Sequence, residues 1–210
     1  MLGRAWFVTI EGIEGAGKST CMAVLRRFFE ARGEPVVSTR EPGGTELGER
    51  IRELLLSHSH EGMTLKSETL LMFAARAEHL AQVIEPALAA GRHVLCDRFT
   101  DATYAYQGGG RGLPADQIQR LEEWVQEGRR PDLTLFLDVP VDTGLARAAQ
   151  RSAPDRFERE QAEFFERARR VYLDRARSEP GRIHVIDASQ PLEAVAGLVE
   201  QVLQQVIGND

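Results

Sequence analysis

The stretch EGIEGAGKST, residues 11–20, decides the fold of this chain. The pattern G-x-x-x-x-G-K-[ST] is matched there without a gap, by Gly12, Gly17, Lys18 and Ser19. The apolar run AWFVTI at 5–10 stands directly before it and predicts a buried strand. A strand, a glycine-rich turn and a helix N-terminus together direct several backbone N–H groups at one anion. The stretch therefore predicts a phosphate-binding loop.

The loop also indicates how its residues would contact a nucleotide. Lys18 is expected to reach the terminal phosphates, and the Ser19 hydroxyl is expected to bind Mg²⁺. The residues expected to surround the phosphates are Gly12, Ile13, Glu14, Gly15, Ala16, Gly17, Lys18, Ser19 and Thr20. GTPases, ATPase motors, DNA-processing ATPases and small-molecule kinases all use such loops, so the loop alone leaves the class of protein open.

The overall composition fits one globular domain spanning residues 1–210. The hydrophobic fraction of 42% and the charged fraction of 28% are ordinary for a soluble protein. The net charge of −6 argues against a dedicated nucleic-acid binder, which usually carries a basic surplus. We therefore expect no nucleic-acid partner, and positive charge concentrated only where phosphates bind.

The sequence also favours a cytoplasmic location. It has no run of about 18 apolar residues, so we expect no membrane-spanning helix. The apolar part of the N-terminus is too short for a signal peptide. Cys21 and Cys96 lack metal-ligand spacing and lie in apolar stretches, which favours two buried free thiols over a disulfide.

Short apolar runs alternate with longer helical patterns along the chain. Strands are predicted at 5–10, 35–39, 93–97, 133–138 and 183–187. Helices are predicted at 19–33, 46–56, 67–91, 114–128, 141–151, 158–178 and 191–208. The strands are nearly continuous in apolarity, as parallel strands buried on both faces are. We therefore predict an α/β fold, a three-layer sandwich around a central parallel sheet of about five strands.

Two of the helical patterns carry further detail. In the segment 46–56, the residues expected to share one face are Leu47, Ile51, Leu54 and Leu55. The long segment 67–91 is expected to kink near Pro86, because proline cannot donate a backbone hydrogen bond within a helix.

Two arginine-bearing stretches suit phosphoryl transfer, in which catalysis is largely positioning and neutralisation of charge. In TREPGGT (39–45), Arg40 stands beside a Pro-Gly-Gly turn, although a solvated surface turn explains that residue equally well. RAAQRSAPDRF (147–157) is broken by Ser, Ala and Pro as a mobile lid would be, and an ordinary charged helix connection is the alternative. Its arginines are Arg147, Arg151 and Arg156.

A third stretch, CDRFTDATYAYQGGGRG at 96–112, combines several kinds of polar group. Asp97 ends a buried strand, where a carboxylate is costly unless it meets a partner or a metal ion, and it is placed to act through Mg²⁺. Arg98 can donate two parallel bonds to a phosphate. A structural Asp97–Arg98 salt bridge is the alternative. Side chains suited to reading a base or sugar are Thr103, Tyr106 and Gln107.

With these stretches in hand, the chain closely resembles bacterial thymidylate kinases. The resemblance covers essentially the whole chain, through EGIEGAGKST, TREPGGTELGERIRELLL, MFAAR, CDRFTDATYAYQGGGRG, RPDLTLFLDVP, DRFE and IDASQPLEAV in the family's order and spacing. It implies a P-loop nucleoside monophosphate kinase fold with a lid at about 147–158. It also implies transfer of the γ-phosphoryl group of ATP to thymidine 5′-monophosphate, with Mg²⁺ and usually in a homodimer.

The resemblance also implies roles for individual residues. Glu14 would face the 3′-hydroxyl of the acceptor's sugar, Arg40 and Arg98 would hold its phosphate, and Arg76 would bond the thymine edge. Further residues expected around the acceptor are Pro42, Met72, Phe73, Thr103, Tyr106 and Gln107. On the donor side, the residues expected near the nucleotide beyond the loop are Arg147, Ala188 and Gln190, the last two in DASQP (187–191).

The resemblance further implies where the catalytic positive charge comes from. Some thymidylate kinases carry an arginine directly after the acidic residue of the phosphate loop, and that place is Gly15 here. Arg151 matches the lid arginine of the family's bacterial branch, so we expect it to replace the missing loop arginine. The expected catalytic residues are then Lys18, Asp97, Arg98 and Arg151.

One position departs from the family's pattern. The family typically has a phenylalanine four residues before the base-binding arginine, and four before Arg76 stands Met72. Phe73 is three residues before it, and both spacings share a helix face with the arginine. We expect Phe73 to cover the base with Met72 as a soft contact, and the alternative is that Phe73 belongs to the core.

Two other functions are weighed against a thymidylate kinase. One is a P-loop kinase with a different acceptor, which the contacts of Phe73, Arg76 and Gln107 would distinguish. The other is a P-loop regulatory switch or DNA-associated ATPase. The chain lacks an N-K-x-D-type guanine-reading motif and a basic surplus, which argues against that class.

Overall fold

The computed structural model describes residues 4–57, 62–150, 156–157 and 160–208. The predicted lid is therefore described only in part. Arg151 lies outside the described residues.

Within those ranges, five parallel strands form one sheet in the order β2-β3-β1-β4-β5. They are β1 (Phe7–Glu11), β2 (Val36–Arg40), β3 (His93–Asp97), β4 (Leu133–Asp138) and β5 (Ile183–Asp187). The register pairs Arg40 with Asp97 and Asp138 with Asp187. Because the strands run the same way, these polar residues meet the loop after β1 at one edge of the sheet.

Helices occupy the connections between the strands. They are α1 (Lys18–Ala31), α2 (Glu46–Leu56), α3 (Leu65–His79), α4 (Glu85–Ala89), α5 (Thr100–Thr103), α6 (Ala115–Gln126), α7 (Val141–Ala148), α8 (Ala162–Ser178) and α9 (Leu192–Val206). A π-helical segment, Leu80–Ile84, joins α3 to α4 and ends two residues before Pro86, near which the sequence predicts a kink. A second, Tyr104–Gly110, extends α5.

The sheet is buried between two layers of helices. On one face, α1 and α9 cover β1 and β4, and Phe29 of α1 stacks on His93 with ring centroids 4.3 Å apart. On the other face, α4 and the π-helical segment before it cover the apolar side chains of Phe7 and Val94. Tyr172 of α8 stacks on Phe136 on that same face. The predicted three-layer α/β fold with a five-stranded parallel sheet is confirmed.

The structure corrects two details of the sequence prediction. Leu47 and Leu54 of α2 are exposed by 48% and 44%, whereas Ile51 and Leu55 are buried. The buried stripe of α2 runs through Gly48, Ile51 and Leu55, at helical spacings of three and four residues, and the two exposed leucines lie beside it. The segment 100–110, for which no helix was predicted, is helical throughout.

The two cysteines follow the prediction. Cys21 and Cys96 are both free and buried. Across the described residues, no helix combines the length and apolarity that a membrane crossing requires.

Candidate active site

The phosphate loop connects β1 to α1 at the carboxyl edge of the sheet. Its close packing requires glycine at two positions. A Cβ atom on Gly12 would lie 2.8 Å from the Leu137 carbonyl oxygen, and one on Gly15 only 1.9 Å from the Gly144 carbonyl oxygen. Gly17 caps α1 without a side chain that could bond the first-turn N–H groups. The loop therefore offers those N–H groups to an anion.

Lys18 lies in the position expected of a phosphate ligand. Its Nζ donates to the carbonyl oxygens of Gly12 and Ile13, each at 3.2 Å, which holds the side chain across the loop. Burial and the nearby positive charge of Arg98 lower the pKa of Lys18. A bound polyphosphate would offset both effects, because it brings negative charge to the same place.

Glu14, Arg98 and Tyr106 form one hydrogen-bonded cluster beside the loop. Arg98 Nη2 donates to Glu14 Oε1 at 2.7 Å and to the Tyr106 hydroxyl at 2.9 Å. That hydroxyl donates to Glu14 Oε2 at 2.7 Å. Burial would raise the pKa of Glu14, but the charges of Arg98 and Lys18 outweigh it and lower that pKa. Glu14 therefore stays a carboxylate held in one orientation at the cavity wall.

Arg98 reaches this cluster from an unusual backbone conformation. Its φ of 70° lies in the left-handed region, which side chains other than glycine rarely adopt. The next residue, Phe99, donates its backbone N–H to Glu11 Oε1 at 2.7 Å, and the Tyr172 hydroxyl donates to Glu11 Oε2 at 2.7 Å. Glu11 is thus a buried anchor that stabilises the turn carrying Arg98. The sequence alone predicts no role for Glu11 or Tyr172, and its signal for Glu11 is a carboxylate at the end of a buried strand.

Glu11→Gln is expected to change how stability depends on pH. Burial and the Asp101 carboxylate raise the pKa of Glu11 from 4.5 to about 8, although Tyr172, the Phe99 N–H and Arg98 oppose the rise. Between pH 4.5 and about pH 8 the folded protein keeps a proton on Glu11 that the unfolded chain releases. The free energy of unfolding therefore falls as the pH rises through this range. Urea unfolding from pH 5 to 8.5 should show the variant gaining stability relative to the parent, by on the order of a few kcal/mol.

Glu30→Gln, on the exposed side of α1, is the matched control, and its stability should follow the parent across that range. Parallel curves for the parent and Glu11→Gln would contradict the role of Glu11.

A cavity of about 230 Å³ opens between the loop, β2, β3, α3 and the segment 100–110. The predicted site residues that line it are Glu14, Gly15, Lys18, Arg40, Pro42, Met72, Arg76, Asp97, Arg98, Thr103, Tyr106 and Gln107. Lining residues that sequence analysis did not single out are Glu41, Arg52, Leu56, Phe99, Ala102 and Phe157. Phe157 belongs to DRFE (155–158), one of the stretches that carry the family resemblance, so the sequence did contain a signal for this residue.

Arg76 is buried at the floor of this cavity, with 2% of its surface exposed. Its Nε donates to Glu41 Oε2 at 2.7 Å and its Nη2 to Thr103 Oγ1 at 3.1 Å. The guanidinium lies over the rings of Phe73 and Phe99, 4.8 Å from each centroid. Its Nη1 is buried without a hydrogen-bond partner among the described residues. A buried donor left in this state is costly, so the geometry suits a ligand with an acceptor atom.

The structure corrects the predicted positions of Phe73 and Met72. Phe73 packs with Leu113 and Ile118 in a small core cluster and does not line the cavity. Met72 lines it instead. The residue four positions before Arg76, rather than the one three positions before it, therefore faces the cavity. The Phe73 ring packs against the Arg76 guanidinium.

Arg40 and Pro42 lie at the mouth of the cavity. Arg40 is the last residue of β2 and pairs with Glu49 of α2 at 2.8 Å, with half of its side chain exposed. The Pro42 carbonyl oxygen accepts a hydrogen bond from Arg52 at 2.9 Å. The Pro-Gly-Gly turn is thus tied to α2, and the Arg40 guanidinium lies at the water-facing side of the site.

The residues present also fit a magnesium ion. Asp97 lines the cavity, and its Oδ1 is buried with no hydrogen-bond partner among the described residues. A carboxylate oxygen in that state fits a hard cation. Ser19 lies in the first turn of α1. The described ranges contain no cluster of three or more His, Cys, Asp or Glu residues that could hold a metal. The ion would therefore depend on nucleotide phosphates for further ligands, as Mg²⁺ does at such loops.

On the far side of the loop, α7 contacts the segment after β5. Arg147 Nη1 donates to the Ala188 carbonyl oxygen at 2.8 Å and its Nη2 to that of Ser189 at 3.2 Å. Gln190 Nε2 donates to the Asp187 carboxylate at 3.0 Å, which folds DASQP into a tight turn. A small apolar pocket lined by Ala16, Thr20 and Ala188, among others, adjoins this turn. The predicted donor-side residues are therefore brought together.

The family model described as thymidylate kinase matches residues 10–199 of the chain. The chain belongs to the thymidylate kinase family. A thymidylate kinase of Pseudomonas putida is 59% identical over 96% of this chain and 97% of that protein. One of Neisseria gonorrhoeae is 56% identical, over 96% and 98%. The crystal structure of thymidylate kinase from Ehrlichia chaffeensis superposes with a TM-score of 0.77 at 37% identity, covering 95% of this chain and 98% of that one.

Family membership confirms the predicted fold class and the predicted kinase, whereas the assignment to the branch with a lid arginine stays a prediction. Arg156, near the end of the predicted lid, lies among the described residues. Arg156 is buried, donating through Nη2 to Glu68 Oε2 at 2.6 Å and through Nε to the Leu55 carbonyl oxygen at 2.8 Å. A buried ion pair and a hydrogen bond to the backbone therefore connect Arg156 to α3 and α2. The extent of the lid stays a prediction.

Proposed function

We propose that this chain transfers the γ-phosphoryl group of ATP to thymidine 5′-monophosphate, giving the diphosphate and supplying dTTP synthesis for DNA replication. The observation that carries the proposal is Arg76, which lines a cavity beside the phosphate loop and whose buried Nη1 lacks a partner among the described residues. A pyrimidine carbonyl oxygen would satisfy that donor. Membership of the thymidylate kinase family supports the same acceptor.

The acceptor would lie in the cavity with its base toward Arg76 and its phosphate toward Arg98. Met72 would cover the base, because this residue of α3 lines the cavity. The Glu14 carboxylate would accept a hydrogen bond from the 3′-hydroxyl. Arg40, at the mouth, would share the acceptor phosphate with Arg98. Each guanidinium group can donate two parallel hydrogen bonds to a pair of phosphate oxygens.

The donor would lie across the phosphate loop, with its phosphates on the N–H groups that open α1. Lys18 would neutralise the terminal phosphates. The adenine would rest against the turn 187–191, which Arg147 ties to α7. Mg²⁺ held by Ser19 and Asp97 would supply charge neutralisation at the phosphate oxygens when bound.

The chain's own contribution is positioning. Glu14, Tyr106 and the Glu11 anchor hold Arg98 in one orientation, so its guanidinium does not have to reorganise when charge moves between the nucleotides. Arg151 is proposed as the lid charge donor on the strength of the family resemblance. We also propose a cytoplasmic homodimer, as that resemblance implies.

A coupled ADP-release assay across a panel of nucleoside monophosphates tests the function. Thymidine monophosphate is expected to be the best acceptor. A different best acceptor would favour another P-loop nucleotide kinase, and ADP release independent of every acceptor would favour a regulatory ATPase.

Arg76→Ala is expected to raise the KM for thymidine monophosphate by on the order of tenfold to a hundredfold, because the base loses its buried hydrogen-bond donor. The KM for ATP should change by less than about twofold. Steady-state kinetics with each substrate varied in turn measures both constants.

Arg120→Ala, at an exposed position of α6, is the matched control and should leave both KM values unchanged. Equal increases in the two KM values for Arg76→Ala would remove Arg76 from the base site.

A further inference from the structure

Glu68 of α3 is a buried acceptor on which three donors converge. It is 1% exposed, and it lies about two helical turns before Arg76 on the same helix. Gln107 Nε2 and Arg111 Nε both donate to its Oε1, each at 2.9 Å. Arg156 Nη2 donates to its Oε2 at 2.6 Å. Glu68 itself does not line the cavity, whereas Gln107 does.

This convergence fixes which way the Gln107 amide turns. A carboxylate that receives two guanidinium donors offers only acceptor oxygens, so the amide must present its NH₂ group to Glu68. The reverse orientation would set the amide oxygen against a carboxylate oxygen. The carbonyl oxygen Oε1 is then the group that Gln107 retains for a ligand in the cavity.

Gln107 and Arg76 together give the cavity a polarity pattern. Arg76 Nη1 is a donor without a partner among the described residues, and Gln107 Oε1 is an acceptor. Thymine and uracil carry a carbonyl oxygen next to an N–H, which complements a donor beside an acceptor. Cytosine carries an amino group next to an unprotonated ring nitrogen, which opposes both.

We propose that Glu68 is a positioning residue that sets the selectivity of the site for keto over amino pyrimidines, through the orientation of Gln107. The inference rests on the proposed function, because it takes a pyrimidine monophosphate as the acceptor. Arg111 and Arg156 contribute by keeping both carboxylate oxygens engaged.

Glu68→Gln separates this role from simple packing. The change converts one acceptor oxygen into an NH₂ group, which faces Gln107 and Arg111 at the Oε1 position or Arg156 at the Oε2 position. The Oε1 position costs less, because Arg111 also pairs with Glu160 at 2.8 Å and the Gln107 amide can turn. Guanidinium groups have no acceptor, whereas the Gln107 amide can rotate by half a turn and accept. The Gln107 NH₂ would then face the cavity and tolerate the ring nitrogen of cytosine.

The experiment measures kcat/KM for thymidine, deoxyuridine and deoxycytidine monophosphates with the full-length parent and Glu68→Gln. We expect the ratio of the thymidine to the deoxycytidine value to fall by about tenfold or more in the variant, with the KM for ATP unchanged. Glu122→Gln is the matched control, since Glu122 is a buried glutamate on α6 that pairs with Tyr104 and Arg130 away from the cavity. Its ratio should equal that of the parent.

A double-mutant cycle makes the route through Gln107 explicit. In a Gln107→Leu background, adding Glu68→Gln is expected to leave the ratio unchanged, because no amide remains to rotate. If Glu68→Gln does not fold, Glu68→Asp serves instead, since its shorter side chain withdraws from the amide and should lower the ratio as well.

An unchanged ratio in a folded Glu68 variant, or the same fall with and without Gln107, would overturn the proposal. A parent enzyme that does not prefer thymidine monophosphate would instead overturn the proposed function. The two failures are therefore distinguishable.

Discussion

Arg98→Ala is expected to lower kcat/KM for thymidine monophosphate by on the order of 10³-fold, the largest loss we predict for a described residue. The guanidinium lies between Glu14, Tyr106 and the phosphate loop, where the transferred charge must be neutralised. Removing it also leaves the Glu14 carboxylate buried without its cation, which disfavours a second anion in the same place. Steady-state kinetics with both substrates varied measures the loss.

Arg98→Lys tests what the guanidinium fork contributes. Lysine keeps the charge but cannot donate two parallel bonds, so we expect an intermediate loss. Arg92→Ala is the matched control, because exposed Arg92 stands at the opposite end of the same strand, directly before β3. Its kinetics should equal those of the parent. A loss below about tenfold in Arg98→Ala would show that Arg98 does not hold the acceptor phosphate.

The phosphate loop and the sheet could be read from the sequence because their signals are local. Eight consecutive residues, 12–19, carry the loop pattern, and the central strands are short apolar runs. The predicted strands β3, β4 and β5 agree with the structure at both ends. Such local patterns are strongest in β1, β3 and β4, because these central strands are buried on both faces of the sheet.

The contacts that position the site could not be read in this way. Glu11 bonds the Phe99 N–H from 88 residues away, and Glu68 is likewise 88 residues from Arg156. No spacing rule connects such pairs, since only the folded chain brings them together. The roles of Glu11 and Glu68 therefore emerged only from the structure.

The exchange of Phe73 and Met72 has a different cause. Positions three and four residues before Arg76 both lie on its side of the helix, so periodicity does not separate them. The choice depends on what α3 packs against. The cluster of Leu113 and Ile118 draws Phe73 inward and leaves Met72 to the cavity.

Arg151→Ala is expected to lower kcat by on the order of 10³-fold, by analogy with arginine fingers in other phosphoryl-transfer enzymes. Arg151 lies outside the described residues, whereas the phosphate loop that it would serve is described. Within that loop, Gly15 stands where some thymidylate kinases have an arginine, and the Gly144 carbonyl oxygen occupies the space that a Cβ atom would need. The loop therefore has no room to supply the charge itself.

This packing makes a second, sharper comparison possible. Gly15→Arg should not restore activity to Arg151→Ala, because its Cβ would lie 1.9 Å from that carbonyl oxygen and its φ of 73° disfavours any side chain. Moving the arginine back to the loop would require α7 to move away from it. We expect the double variant to be no more active than Arg151→Ala, in the same steady-state assay.

Arg170→Ala, at an exposed position of α8, controls for the loss of one surface charge and should keep parental kcat. A loss under tenfold in Arg151→Ala would mean that Arg151 is not the charge donor. Recovery of activity in the double variant would mean that Gly144 moves away from Gly15 far enough to accommodate an arginine side chain. We expect instead that the loop cannot accommodate a side chain at Gly15, because the atom it would meet belongs to the backbone and cannot turn aside. The loop then depends on an arginine that follows α7 in the chain.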